Sequence, residues 1–181
     1  MLKNSSIIGY SLFLFLHLFF LVVCLLNISE FNLNAVVFLL IIVLIGFGYT
    51  KIFREKFNSI GHVIEFSVLV LGSLITFYLN NYLGWGAVIS SAAVGLAGGL
   101  LPYLKRSSTI LPSIAIAVYC GSFVGMASTS LFTEVHHIFI ASAISGLFYV
   151  YTRGLLIGFG GKLGSVAFSG VLATVLLFFL R

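Results

Sequence analysis

The sequence predicts an all-α integral membrane protein of about seven transmembrane helices, one peripheral helix followed by two inverted three-helix repeats, and three observations predict it. Hydrophobic residues make up 61% of the 181 positions and charged residues only 7%, with a mean hydropathy of +1.23; a soluble domain is about 45–50% apolar and about 25% charged. Apolar stretches of spanning length follow one another with only short polar interruptions. Lys and Arg fall in alternate interruptions.

A helix needs about twenty apolar residues to cross about 30 Å of hydrocarbon. The first such stretch, α1 over 7–26, is preceded by Lys3 and followed by Asn27, Ile28, Ser29 and Glu30, without a small-residue cleavage pattern. It reads as a retained helix and not a cleaved signal. Six more follow: α2 over 35–53, α3 over 60–78, α4 over 83–104, α5 over 110–129, α6 over 135–151 and α7 over 163–180. Their continuous apolar runs lack the alternation of barrel strands, and lipid offers no partner to a free backbone group, so helices are expected.

Basic residues orient the bundle, since they are retained in cytoplasmic loops. Lys3 precedes α1; Lys51, Arg54 and Lys56 separate α2 from α3; Lys105 and Arg106 separate α4 from α5; Arg153 and Lys162 separate α6 from α7. The other connections hold no Lys or Arg and carry Glu30 and Glu134, two of the four acids. The pattern predicts a multi-pass protein of the plasma (inner) membrane with its N-terminus in the cytoplasm and its C-terminus, at Arg181, outside. The net charge of +5 is spread over these loops, so it forms no groove for nucleic acid.

The single domain 1–181 divides into the first helix and outer loop (1–34), a unit at 35–106 and a second unit at 110–181. An offset of seventy-five positions superposes the two units with twelve identities in seventy-two positions, about twice what this composition gives by chance. Gly46 meets Gly121, His62 meets His137, Gly86 meets Gly161, Ser90 meets Ser165 and Gly95 meets Gly170. Three helices per unit mean that the second copy enters from the opposite face. Inverted repeats of this kind are characteristic of transporters, with the substrate path where the units meet.

Small and hydroxyl residues suggest where that path runs. In α5, Gly121, Ser122, Gly125, Ser128 and Thr129 lie in one stretch, which reads either as a tight helix crossing or as a break whose freed carbonyls and hydroxyls bind an ion or polar solute. Ser90 and Gly95 in α4, and Ser165 and Ser169 in α7, extend the pattern, which places α4, α5 and α7 at the centre and bulky α1 and α2 against lipid.

Ionisable residues inside a span are functional candidates because burying charge in lipid is costly. Glu65 follows His62 by three residues, on one helix face; the pair reads as a gate or proton relay, with His137 its repeat-related counterpart, or as an interfacial pair with Glu65 tied to Lys51, Arg54 or Lys56. Glu134, His136 and His137 can form a divalent-metal site or a solvated cap, and whether a metal binds is unknown from sequence. His17 reads as an interhelical hydrogen-bonding residue. Cys24 and Cys120 lie in apolar segments, where a thiol behaves as a small hydrophobe.

No Gly-x-Ser-x-Gly elbow, His-Glu-x-x-His or Cys-x-x-Cys occurs, and Gly161-Lys162 lacks the context of a phosphate-binding loop. No cofactor is expected, and an enzyme, at most one acting on lipid, is the lesser expectation. The leading expectation is a small channel or secondary transporter, homo-oligomeric and seated in the lipid bilayer, that moves an ion or small solute between α4, α5 and α7. The alternative is a non-transporting membrane subunit, sensor or effector that works through helix–helix association.

Overall fold

Each described apolar stretch forms a helix, and no strand occurs among the described residues. The structure is a computed structural model that describes residues 11, 14–24, 36, 40, 42–43, 63–153 and 161–179. Within it α1 covers Leu14–Cys24, α3 Val63–Asn81, α4 Ala87–Leu104, α5 Leu111–Val124, α6 Val135–Tyr151 and α7 Lys162–Phe179. Residues 36, 40, 42 and 43 of α2 are helical, and the rest of α2, with His62, Lys51, Arg54, Lys56 and Arg181, lies outside the described residues.

Two helices, α3 and α4, combine length and hydropathy sufficient to cross a membrane; α1, α5, α6 and α7 are shorter apolar helices. The largest departure from expectation is α5, read over 110–129 but ending at Val124. It starts on Pro112 in its first turn, where the missing N–H costs nothing. Its end comes at Gly125, whose N–H still bonds Gly121 O at 3.0 Å before the chain turns. The chain beyond is held by amides at the end of α3: Asn80 Nδ2 donates to Met126 O (3.2 Å) and Asn81 Nδ2 to Ala127 O (3.1 Å), while Thr129 N–H donates to Asn81 Oδ1 (3.0 Å). These side chains occupy carbonyls that the end of a helix leaves open, and the composition of α5 alone does not reveal them.

Close backbone contact sets the core. A Cβ on Gly121 would collide with Leu69 O and lie 3.0 Å from Ser73 N; one on Gly125 would collide with Ser73 O and lie 2.5 Å from Thr76 Cβ. Gly72 approaches Val118 O in the same way. The paired numbers rise together, so α3 and α5 run parallel with their backbones nearly touching. Antiparallel to them, α4 lies on α5 through Gly95 and Gly98, and α6 lies on α3 through Gly146, which faces the Phe66 ring. Gly170 brings α7 against the Ala141 and Ser145 backbone of α6. Hence α3, α5 and α7 start at one end of the bundle and α4 and α6 at the other.

The centre is therefore α3 with α5, and α4 is an edge helix that packs on α3 and α5. The expectation that α4, α5 and α7 share the centre underrated α3, which buries Leu69, Gly72, Ser73, Thr76 and Phe77 and turns Val63, Leu71 and Ile75 outward.

Polarity is distributed in an unusual way. Val63, Leu71, Val88, Ile89, Leu96 and Leu104 lie exposed on the flanks, between 57% and 81% open, whereas Glu65, Ser73, Thr76, Ser90, Ser122 and Ser142 are fully buried. Several interior hydroxyls fold back on their own helix, as Thr76 does to Gly72 O (2.8 Å) and Thr174 to Gly170 O (2.9 Å).

Candidate functional site

The residues expected to line a path fall into three groups. Gly121 and Gly125 are the contact points of α5 on α3. Gly95 and Ser122 belong to the contact between α4 and α5, and Ser90 is buried on α4: Ser122 Oγ–H donates to Tyr119 O (2.8 Å), and the same oxygen lies 3.0 Å from Ser91 Oγ. A Cβ on Gly95 would meet the Tyr119 ring. Ser165 and Ser169 sit on α7, where Ser169 Oγ–H donates to Ser165 O (2.8 Å). Since α7 packs on α5 and α6, and α4 on α5 and α3, α5 stands between α4 and α7. Ser128 and Thr129 lie past the end of α5 in the exposed turn, where Ser130 N–H and Oγ–H donate to Ser128 Oγ.

Two interior hydroxyls retain unused capacity: among the described residues Ser73 Oγ and Ser90 Oγ are fully buried and have no hydrogen-bond partner. Nearly all buried polar side chains in folded proteins are satisfied.

The second element of the site is ionic. Glu65, on the first turn of α3, is fully buried, and its Oε1 lies 2.7 Å from Arg153 Nη1. Arg153 follows the end of α6 and keeps 27% of its side chain open. Its Nη2–H donates to Ser113 Oγ on α5 (2.8 Å), and its main-chain oxygen accepts from Lys162 Nζ at the start of α7 (2.6 Å). Arg153, at the end of α6, thus joins α3 and α5 through its guanidinium and α7 through its carbonyl oxygen. Cys120 Sγ–H, toward Leu163 O at 3.5 Å, sets the start of α7 level with Cys120, about 13 Å along α5 from its first residue.

The sequence singled out Glu65 but not this partner. Arg153 and Lys162 read as loop charges that set topology, and nothing in local spacing joins Glu65 to a residue so distant in the chain. Glu65 lies in a bilayer-length apolar helix, which was the available signal that some cation must reach it. The proposed companion His62 lies outside the described residues.

At the other end of the bundle, Glu134 Oε2 lies 2.9 Å from His136 Nδ1, both exposed, and the His136 and His137 rings are 4.0 Å apart. His137 is buried against the Phe132 and Phe178 rings, at centroid distances of 6.2 and 5.2 Å. The two imidazoles lie side by side, yet among the described residues no three His, Cys, Asp or Glu side chains converge to hold a metal. His17 packs its ring edge-on to Phe168 of α7, 6.0 Å away. Cys24 and Cys120 are free thiols.

The helices that the seventy-five-residue offset superposes, α4 and α7, begin and end at matching positions. Each follows a glycine with positive φ, Gly86 at 80° and Gly161 at 85°. Each opens with the same backbone bond, Ser90 N–H to Gly86 O (3.1 Å) and Ser165 N–H to Gly161 O (2.9 Å).

Compared with known protein families, with curated proteins and with solved structures, the chain finds no match.

Proposed function

We propose that the chain is an integral membrane protein acting as a small channel or secondary transporter, which moves an ion or small polar solute along the hydroxyl-bearing seams beside α5. The membrane reading is supported by the large aliphatic side chains on the outer flanks and the hydroxyls and charges inside, a distribution that suits a hydrocarbon surround. By the positive-inside rule the Glu65 end faces the cytoplasm and the His137 end the outside.

The observation that carries the transport reading is the pair formed by the fully buried Glu65 and the partly open Arg153, where the two three-helix units meet. A desolvated ion pair is poor stabilisation compared with well-packed apolar residues, and inside a span it marks a pathway or relay. The matched starts of α4 and α7 support the inverted repeat, and Ser73 and Ser90 supply donors and acceptors that a passing solute can use. Purified protein in liposomes is expected to support flux of a small solute or ion, altered by Ser90→Ala and Ser73→Ala and unchanged by Gly99→Ala, a position open to its surroundings. Absence of flux over common ions and small solutes at varied pH and voltage counts against the reading.

One observation favours the second reading, a non-transporting subunit that works by helix association: the backbone contact at Gly121 and Gly125 leaves no passage between α3 and α5. Under that reading Gly125→Leu disrupts assembly while the serine substitutions change nothing.

A further inference from the structure

The charges around Arg153 do not balance. From α3 it faces the Glu65 carboxylate, from α5 the neutral Ser113 hydroxyl, and from α7 the Lys162 ammonium, whose one partner is the Arg153 carbonyl oxygen. Among the described residues, two cations stand against one carboxylate. The helices α3, α5 and α7 also begin at this end, and each helix start adds positive partial charge and free N–H groups. Among the described residues, Arg153 Nε–H and two of the three Lys162 N–H bonds have no partner. An excess of positive charge held among apolar helices is costly until an anion neutralises it.

We propose that Arg153 and Lys162 form an oxyanion site in which the Glu65 carboxylate is a resident internal ligand, displaced in part by the phosphate or carboxylate of an incoming molecule. Guanidinium is suited to this, since its planar fork takes two oxygens of either group. The partly open Arg153 side chain gives access while Glu65 closes the inner side. The anion comes either from a small solute or from a lipid headgroup at the cytoplasmic surface; in the first case it gives the class of the transported species, and only that extension rests on the transport reading.

The test uses the full chain in neutral detergent, its thermal unfolding titrated with inorganic phosphate against chloride at equal ionic strength. Phosphate is expected to raise the midpoint. Glu65→Gln, which removes the competing internal carboxylate, should lower the apparent Kd about tenfold, and Lys162→Gln should raise it about tenfold, in line with charge-assisted bonds of about 1.4 kcal/mol each. Should Glu65→Gln fail to fold, Lys162→Gln with Ser113→Ala carries the comparison. In a second arm the protein is placed in nanodiscs of phosphatidylcholine with and without phosphatidylglycerol. Stabilisation by phosphatidylglycerol that free phosphate does not match assigns the site to a headgroup, and the reverse assigns it to a solute; both uphold it. An unfolding midpoint indifferent to phosphate and to phosphatidylglycerol, or a response that Lys162→Gln leaves intact, overturns it. Flux of a neutral solute without any phosphate response removes the anion site and leaves transport standing; a phosphate response without flux does the opposite.

Discussion

Helices α4 and α7 share length, start and several residues, yet one lies at the edge of the bundle and the other is anchored in it. α4 opens with Ala87 and shows Val88, Ile89, Leu96 and Leu104 on its open flank. α7 opens with Lys162, tied to Arg153, and buries Val166, Ala167, Ser169, Gly170 and Thr174. The equivalent glycines differ in the same sense. Gly95 meets the edge of a Tyr119 ring, which can swing away, whereas Gly170 meets the α6 backbone at Ala141 O (2.6 Å) and Ser145 N (2.7 Å), which cannot. Matching sequence positions thus conserve the local geometry of a helix start but not the consequence of a substitution, which depends on what the neighbouring helix presents.

The sharpest way to break this comparison is at the anchored end of α7. Arg153→Met removes the guanidinium that faces the buried Glu65 carboxylate and is expected to cost about 3–5 kcal/mol, read as a lowered unfolding midpoint in detergent; Glu65→Gln combined with Arg153→Met should recover much of it. Next, Gly170→Ala should cost about 1–3 kcal/mol through overpacking against backbone, and a loss no larger than that of Gly95→Ala would contradict the assigned contact. Gly86→Ala sharpens the shared feature: with φ 80° and ψ 156° this backbone is essentially restricted to glycine, so the loss is about 1–3 kcal/mol, with a similar loss for Gly161→Ala. Gly95→Ala itself should cost less than about 1 kcal/mol. The smallest effect belongs to Gly99→Ala, where nothing lies within 4 Å of the new methyl; it should be neutral or stabilise α4 by up to about 1 kcal/mol.

Apolar run length made the helices legible. α6 matches its expected bounds at Val135 and Tyr151, α4 starts four residues later than expected, and α7 starts one residue earlier. α5 was overextended because Met126 and Ala127 are as apolar as a helix requires, and only the Asn80 and Asn81 side chains, outside that window, explain where the chain turns. Small-residue spacing revealed that α5 makes close contacts but not with which helix: Gly121 and Gly125 meet α3, a helix whose contribution at the contact is mainly backbone oxygen and nitrogen, invisible in side-chain identity. In the ionic cluster, Glu65 stood out because a carboxylate is rare in such a chain. Arg153 did not, since a cation near a helix end serves equally well as a topology marker, and the fold alone decides which role it takes.

If the chain spans a bilayer as proposed, the early stop of α5 bears on which bilayer suits it. Fourteen helical residues rise about 21 Å, roughly 9 Å short of a typical hydrocarbon thickness. The remaining depth is met by turning backbone at Met126–Leu131, supported by asparagine amides where α3 ends. On that reading the turn places polar groups below the usual headgroup plane, which a local dip of the outer leaflet would accommodate. The cost of such mismatch would grow with acyl-chain length, so the proposed membrane protein is expected to be more stable in short-chain than in long-chain bilayers.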